Sequence, residues 1–442
     1  MQVQQLIHAL FPGSDDTLCV GGISVEEIAQ QFGTPLFVYD EAVLRRKWQL
    51  LRSTYPDRFD IYYSVKANPN PSLLAFFLAQ GAGLEIASAG ELHLALEAGC
   101  TPQRILFAGP GKTAAELTLA MEAEIGEIHA ESLTELQRIV SIAEQRNRTA
   151  RVALRVNPDA DAQGGAMRMG GKATPFGIDE EALDGALDYA LSSPAIDFRG
   201  IHLFSGTQLL DSEILLAQYR KGLQIARRVV ERTGRPLRSV DFGGGLGVPY
   251  FANEQPLDMS RLKSGIAELM REVEEDSRFA GTRFAIEPGR FLVAEAGIYV
   301  ARVLDVKISR GKTFAILDGG MNHHLAASGN LGQTIKRNFP VAVINKLLQP
   351  EEQTVDLVGP LCTPLDVLAR SLLVPQIEVG DLVAVFQSGA YARSASPLGF
   401  LSHATPPEVL VEEGGCRLIR QRGNVADSMR DLVLPAQQDV VV

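Results

Sequence analysis

The chain has 442 residues, of which 46% are hydrophobic and 21% charged, enough for one large globular domain and a smaller one. A formal net charge of -11 with no dense Lys/Arg cluster argues against a nucleic-acid partner, because phosphate backbones reward basic surfaces. The first residues lack the basic and apolar regions of a signal peptide, and no apolar run approaches the roughly 20 residues of a membrane helix, so the expectation is a cytoplasmic protein with no membrane partner.

In chain order, the stretch 35–39 is a short apolar run expected to add a strand to a domain completed later in the chain. Strand-like apolar runs follow at 60–67, 84–88, 105–110, 127–131, 150–157, 198–205, 239–245 and 283–287. Between most of them lie amphipathic, helix-like stretches such as 90–98, 133–146, 212–231 and 259–275. An open doubly wound sheet gives the same alternation, but eight units fit the ~250 residues typical of a closed β/α barrel. The stretch 159–174, rich in Gly and Ala, is expected to be a long mobile loop, a feature that is often functional in a compact domain.

After Arg290 the texture changes. Runs at 313–317, 354–358, 382–387 and 408–412 are short and separated by turn residues such as Gly319-Gly320 and Gly380-Asp381, the grammar of an antiparallel β-domain. The expected division is therefore a barrel over 37–292 and a β-domain over 293–442, completed by residues 1–36. Cys19, Cys100, Cys362 and Cys416 are far apart and form no CxxC pair, so each reads as a small buried hydrophobe rather than part of a disulfide or zinc framework.

β/α barrels carry their active sites at the C-terminal ends of the strands. Those ends bring forward Lys66, Glu85 and Ser88, Glu131, Arg155 and Asn157, His202 and Ser205, the run Gly243-Gly244-Gly245, and Glu287 with Arg290. A lysine closing an apolar strand is either a snorkelling surface residue or a desolvated amine able to form a Schiff base. The glycine run fits a dinucleotide fingerprint poorly, since Pro249 and Tyr250 stand where a helix should open. It suits a phosphate cradle after strand seven better, with Arg290 just after strand eight to assist. Glu287 is either salt-bridged or a partner for a pyridine nitrogen, which it would keep protonated as an electron sink. His202 is either a satisfied core histidine or a ring that stacks on a cofactor. His323 and His324, adjacent on what reads as a strand, should point to opposite faces, so no metal site is expected there.

Taken together, Tyr63-Ser64-Val65-Lys66-Ala67-Asn68, the stretch 202–208, the glycine run, Glu287 to Arg290, Gly359-Pro360-Leu361-Cys362 and Ser388-Gly389-Ala390-Tyr391 resemble the pyridoxal-phosphate (PLP) decarboxylases of fold type III. Diaminopimelate and ornithine decarboxylases belong to that family, and the likeness runs in order from about residue 30 to 412. It implies an α/β fold, a PLP-binding (β/α)8 TIM barrel with a C-terminal antiparallel β-domain of the alanine racemase-like kind, working as a homodimer with shared active sites. By the same likeness Lys66 is the Schiff-base lysine, His202 stacks on the cofactor ring and Glu287 pairs with its nitrogen. Ser205, Gly243, Gly244, Gly245, Arg290 and Tyr391 hold the phosphate, and Glu91 and Arg155 line or support the pocket. Cys362 comes from the partner subunit as the acid that returns a proton.

The departures bear on substrate. Diaminopimelate decarboxylases follow the cysteine with Glu and read the distal carboxylate with Arg and Tyr; here Thr363 follows, and the stretch 318–327 has neither Arg nor Tyr. The Asp that follows the cysteine in ornithine decarboxylases is missing too, with Asp366 the nearest carboxylate. Cys362-Thr363-Pro364 and the run 396–403 are more similar to the exosortase-associated decarboxylases and to the butirosin-type decarboxylase that acts on an acyl-carrier-protein substrate. The resemblance thus implies decarboxylation of a small amino-acid substrate or one tethered to a carrier protein. The alternatives are diaminopimelate decarboxylation in lysine biosynthesis, or an amino-acid racemase. A racemase of this fold would place Arg where Glu287 stands.

Overall fold

The computed structural model describes residues 3–159, 167–168, 173–204 and 206–433. Eight strands form a closed parallel sheet, joined beside the fifth by the two-residue strand Ile178–Asp179: β1 (Phe59–Ser64), β2 (Gly83–Ile86), β3 (Ile105–Phe107), β4 (Glu127–Ala130), β5 (Ala150–Asn157), β6 (Ile196–Leu203), β7 (Ser239–Asp241) and β8 (Arg283–Ile286). Each pairs with the next in sequence, and β8 returns to β1 in the register Phe284 to Phe59, so the sheet closes into a barrel. Strands flanked by helices outside and packed side chains inside are buried on both faces, so β2 and β3 are buried at every residue and β3 reads as a continuous apolar run.

The alternating helices begin where short polar side chains can accept from the free amides of the first turn. Ser88 accepts from Glu91 N before the helix Ala89–Glu97, and Ser132 from Glu135 N before Leu133–Gln145. Thr113 and Glu116 form a reciprocal capping box at the start of Ala114–Glu122. Asp211 and Asp258 cap the long helices Ser212–Thr233 and Met259–Glu274. The first of these stops at Gly234, whose φ of 63° only a residue without Cβ adopts freely.

Two strands end earlier than their apolar runs. β1 stops at Ser64, and Lys66 sits in a single 3-10 turn, Val65–Ala67, instead of closing the strand. β7 stops at Asp241 because Gly243 and Gly245 take φ values of 69° and 105°, outside the extended region. Most of the 159–174 stretch lies outside the described residues; within it, Met167–Arg168 pair antiparallel with Gly206–Thr207.

The chain divides into two compact units, the barrel with Ala42–Ala296 and Gly389–Ser394, and a sheet unit with Val3–Glu41, Gly297–Ser388 and the chain from Ala395. In the sheet unit the strand Leu36–Asp40 lies between two partners, antiparallel to Gly297–Ser309 and parallel to Glu408–Glu412. These bonds on both edges carry the first boundary past residue 37, into Glu41. The sheet is also not purely antiparallel, since Lys312–Leu317 runs parallel to Gln353–Val358. Of the four cysteines only Cys100 is buried; Cys19 and Cys416 are half-buried and Cys362 is exposed, and all four are free thiols. No helix among the described residues is long and apolar enough to cross a membrane.

Candidate active site

The C-terminal mouth of the barrel holds a cavity lined by Lys66, Glu85, Arg155, His202, Gly244, Gly245, Glu287, Arg290 and Tyr391, together with Ser64, Phe204 and Gly289. Most residues singled out from the strand ends thus meet at one place. Ser205 lies outside the described residues, and Gly243 forms the backbone just behind the lining.

The Lys66 ammonium lies 2.8 Å from both oxygens of Glu85, whose side chain is 1% exposed against 44% for the lysine. Burial works to lower the Lys66 pKa, but the charges of Glu85, Tyr391 and Glu287 outweigh it and raise it above the ordinary lysine value. Ser64 donates to the same carboxylate. Glu85 is the residue that sequence reasoning noticed at a strand end without giving it a task; its signal is a charge inside the apolar run Leu84-Glu85-Ile86.

The glycines are required by close backbone approach. A Cβ on Gly244 would stand 2.5 Å from the carbonyl oxygen of Glu287, and one on Gly243 would stand 2.6 Å from that of Leu203. Glu287 N donates to the Gly243 carbonyl at 2.8 Å, and Gly243 N donates to Asp241 Oδ1 at 2.7 Å, which locks the two strand ends together. Arg290 opens a short helix, donates to the Tyr250 hydroxyl at 3.2 Å and lies 4.7 Å from the Tyr391 ring centroid. Tyr391 is joined to the barrel through its own amide, which donates to Ala67 O at 2.8 Å.

Arg155 is held by Glu131, whose Oε1 accepts from it at 2.7 Å and from Gly109 N at 2.6 Å, while Oε2 accepts from Gly177 N at 3.2 Å. Burial would raise the Glu131 carboxyl, but Arg155 and Lys112 beside it bring it below the usual range. Glu91 is not part of the lining. Its Oε2 accepts from Ala87 N at 2.7 Å, bracing the end of β2, and burial pushes its carboxyl up to about 7.

Beneath the mouth, His202 and Glu287 are 1% and 6% exposed, and His202 Nε2 is 3.4 Å from Glu287 Oε2. Burial first, then His129 and Arg155, hold the His202 pKa well below its ordinary value, so the ring is neutral. Burial and the neighbouring Glu287 charge raise Asp241 well above the carboxylate range. His129 and Asp241 were missed by the sequence reading, although Glu127 and His129 alternate along β4, with Glu131 just past its end, and so share its inner face.

In the sheet unit, Cys362 is exposed and the nearby Asp366 is buried, accepting from Met321 N at 2.7 Å and Leu361 N at 2.9 Å. Asp366 therefore braces backbone and offers no free carboxylate. His323 and His324 sit in a turn, not on a strand as expected. The first is bonded to Tyr299 and Asn322, the second to Ser388 and the Ala327 amide.

An amine at the mouth, a glycine and arginine corner, a buried carboxylate and a neutral imidazole without a hydrogen-bond partner among the described residues are the groups PLP needs for its carbonyl, phosphate, ring nitrogen and ring face. Fold and site together define a PLP-type barrel enzyme.

Residues 41–294 match the family described as pyridoxal-dependent decarboxylase, pyridoxal binding domain. The chain is 41% identical to the L-glutamyl-[BtrI acyl-carrier protein] decarboxylase of Niallia circulans, over 91% of this chain and 94% of that one. It is 34% identical to the diaminopimelate decarboxylase of Aquifex aeolicus, over 93% and 94% of the two chains. The crystal structure of diaminopimelate decarboxylase from M. jannaschii with L-lysine superposes with a TM-score of 0.87, at 28% identity over 95% of this chain and 97% of that one. This chain belongs to the pyridoxal-dependent decarboxylase family: it is a PLP-dependent carboxy-lyase that acts on an amino acid or an amino-acid derivative.

Proposed function

We propose that the substrate is an aminoacyl group, glutamyl first among candidates, carried as a thioester on an acyl-carrier protein, and that the barrel mouth is where it loses CO2. The observation that carries this reading is the 41% identity, across nearly the whole chain, to an enzyme named for a carrier-bound glutamyl substrate. The stretch 318–327 supports it, since its two histidines are 2% and 0% exposed and engaged internally, leaving no cation there for a free distal carboxylate. A thioester carries no such charge.

PLP supplies an electron sink for the pair left behind when the carboxyl group departs. Lys66 is the attachment point, and Glu85 receives its ammonium whenever the lysine is free. Glu287 holds a proton on the pyridine nitrogen, and a neutral His202 offers a flat, uncharged face. Gly243, Gly244, Gly245, Ser205, Arg290 and Tyr391 bind the phosphate. Arg155, fixed by Glu131, and Glu91, through the Ala87 backbone, keep the walls in place. Cys362 serves the site of a second copy in a homodimer, where its exposed thiol returns the proton to the product carbon.

The test is CO2 release from glutamyl-acyl-carrier protein, free glutamate, ornithine, lysine and meso-diaminopimelate, with Lys66→Ala as control. Release from the carrier-bound substrate alone is expected. Strong release from free diaminopimelate would overturn the substrate assignment.

A further inference from the structure

His129 lies on β4 in the barrel interior, with no exposure, and no role follows for it from the donor set above. Its ring centroid is 4.3 Å from that of His202, with the planes 33° apart. Nδ1 is 3.8 Å from Glu287 Oε1, and Nε2 is 3.8 Å from Glu127 Oε2. Neither nitrogen has a hydrogen-bond partner among the described residues. Its backbone carbonyl accepts from the buried Lys112 at 2.8 Å, so the strand position itself is fixed.

An unpaired buried imidazole is costly, and an aromatic hydrocarbon would fill the same space without that cost. Such a group calls for an explanation. His129 touches the two side chains assigned to the cofactor ring, His202 by ring packing and Glu287 through a nitrogen. Closing either 3.8 Å gap to hydrogen-bond range takes about 1 Å, a movement that catalytic contacts commonly make on loading.

We propose that His129 is a positioning residue that sets the Glu287 carboxylate and the His202 ring at the spacing the cofactor ring requires, using Glu127 as its anchor on the far side. This rests on the assignment of His202 and Glu287 to the PLP ring. The imidazole limits how far Glu287 can turn away from the ring nitrogen, and its face backs His202 so that the latter stays flat. Both effects act on PLP binding and on the pyridine proton before any substrate arrives.

The test compares His129→Phe, which keeps a ring against His202 and removes both nitrogens, with His129→Asn, which keeps a polar group. PLP affinity is measured by titrating the apoprotein, and the pyridine proton by the 15N shift of bound, 15N-labelled PLP. Apoprotein melting separates positioning from folding. His129→Phe is expected to melt no lower than the parent, to bind PLP about tenfold more weakly and to move the 15N signal toward the unprotonated value, with partial recovery in His129→Asn. Unchanged affinity and 15N shift in His129→Phe would overturn the proposal. So would one equivalent of a transition metal in the parent apoprotein that His129→Phe loses, since ligand atoms of His129, His202 and Glu287 all lie within 4.8 Å of one another. Should His129→Phe fail to fold, a His129→Asn protein matching the parent on both readouts overturns it. Glu287→Gln is the reference: if it also leaves the 15N shift unchanged, the assignment of the ring site has failed, not the role of His129.

Discussion

Glu131→Ala should destabilise the barrel unit far more than the loss of one surface ion pair. The carboxylate is 2% exposed at its side chain, faces Arg155 at 6%, and accepts three hydrogen bonds, from Arg155, Gly109 N and Gly177 N. Truncation strands a buried guanidinium, for which breaking a pair costs about 3–5 kcal/mol. Each amide left without an acceptor adds up to about 1–3 kcal/mol, reduced where water enters the space vacated. The expected loss is therefore about 4–6 kcal/mol in total. Glu131→Ala/Arg155→Met removes both charges and should be less destabilised than Glu131→Ala alone, a coupling of about 1–3 kcal/mol. The assay is denaturant unfolding followed by the fluorescence of Trp48, the chain's one tryptophan, buried in the barrel unit beside Phe77. A local probe is needed because a two-unit chain need not unfold in one step. Because Glu131 is depressed in the folded state, the stabilisation is present above the ordinary carboxyl value of 4.5 and fades as pH falls through the lowered one. A double variant no more stable than Glu131→Ala, or a loss below about 1 kcal/mol, would refute the reasoning.

Glu91 titrates the other way. Its carboxyl is raised from 4.5 to about 7 by burial, so the folded state prefers the proton and ionisation costs stability as pH rises through that window. Glu91→Gln, which keeps an oxygen for Ala87 N, should gain melting temperature over the parent from about pH 5 to about pH 8; an offset independent of pH counts against it. Gly244→Ala places a Cβ 2.5 Å from the Glu287 carbonyl and should weaken PLP binding by at least about tenfold in apoprotein titrations. Parent-like affinity there would mean the mouth tolerates what the backbone contacts forbid. Cys362 should become slower to alkylate as protein concentration rises, because a second copy would cover it; a constant rate, alongside demonstrated dimers, would remove it from the shared site.

The barrel was legible because its parallel strands are buried on both faces, so each announces itself as an apolar run interrupted by polar residues at the mouth. Lys66, Arg155, His202, Glu287 and Arg290 could be named from that interruption alone. The deeper layer could not, for the same reason. His129 and Asp241 lie within short strands, where a charge reads as a defect in an apolar run until the inner face is known. Only the closed register brings His129 from β4 to Glu287 after β8, since residues 158 positions apart carry no shared local pattern. Glu85 shows the intermediate case, visible as a charge but silent about its partner until the 3-10 turn at Val65–Ala67 swings Lys66 over it. The sheet unit was harder because its order depends on Leu36–Asp40 inserting between strands that lie more than 250 residues later in the chain. What sequence periodicity reports is which face is buried; which charges meet there is set by closure. For that reason substitutions at His129 or Asp241 are a sharper test of the barrel interior than further changes at the mouth.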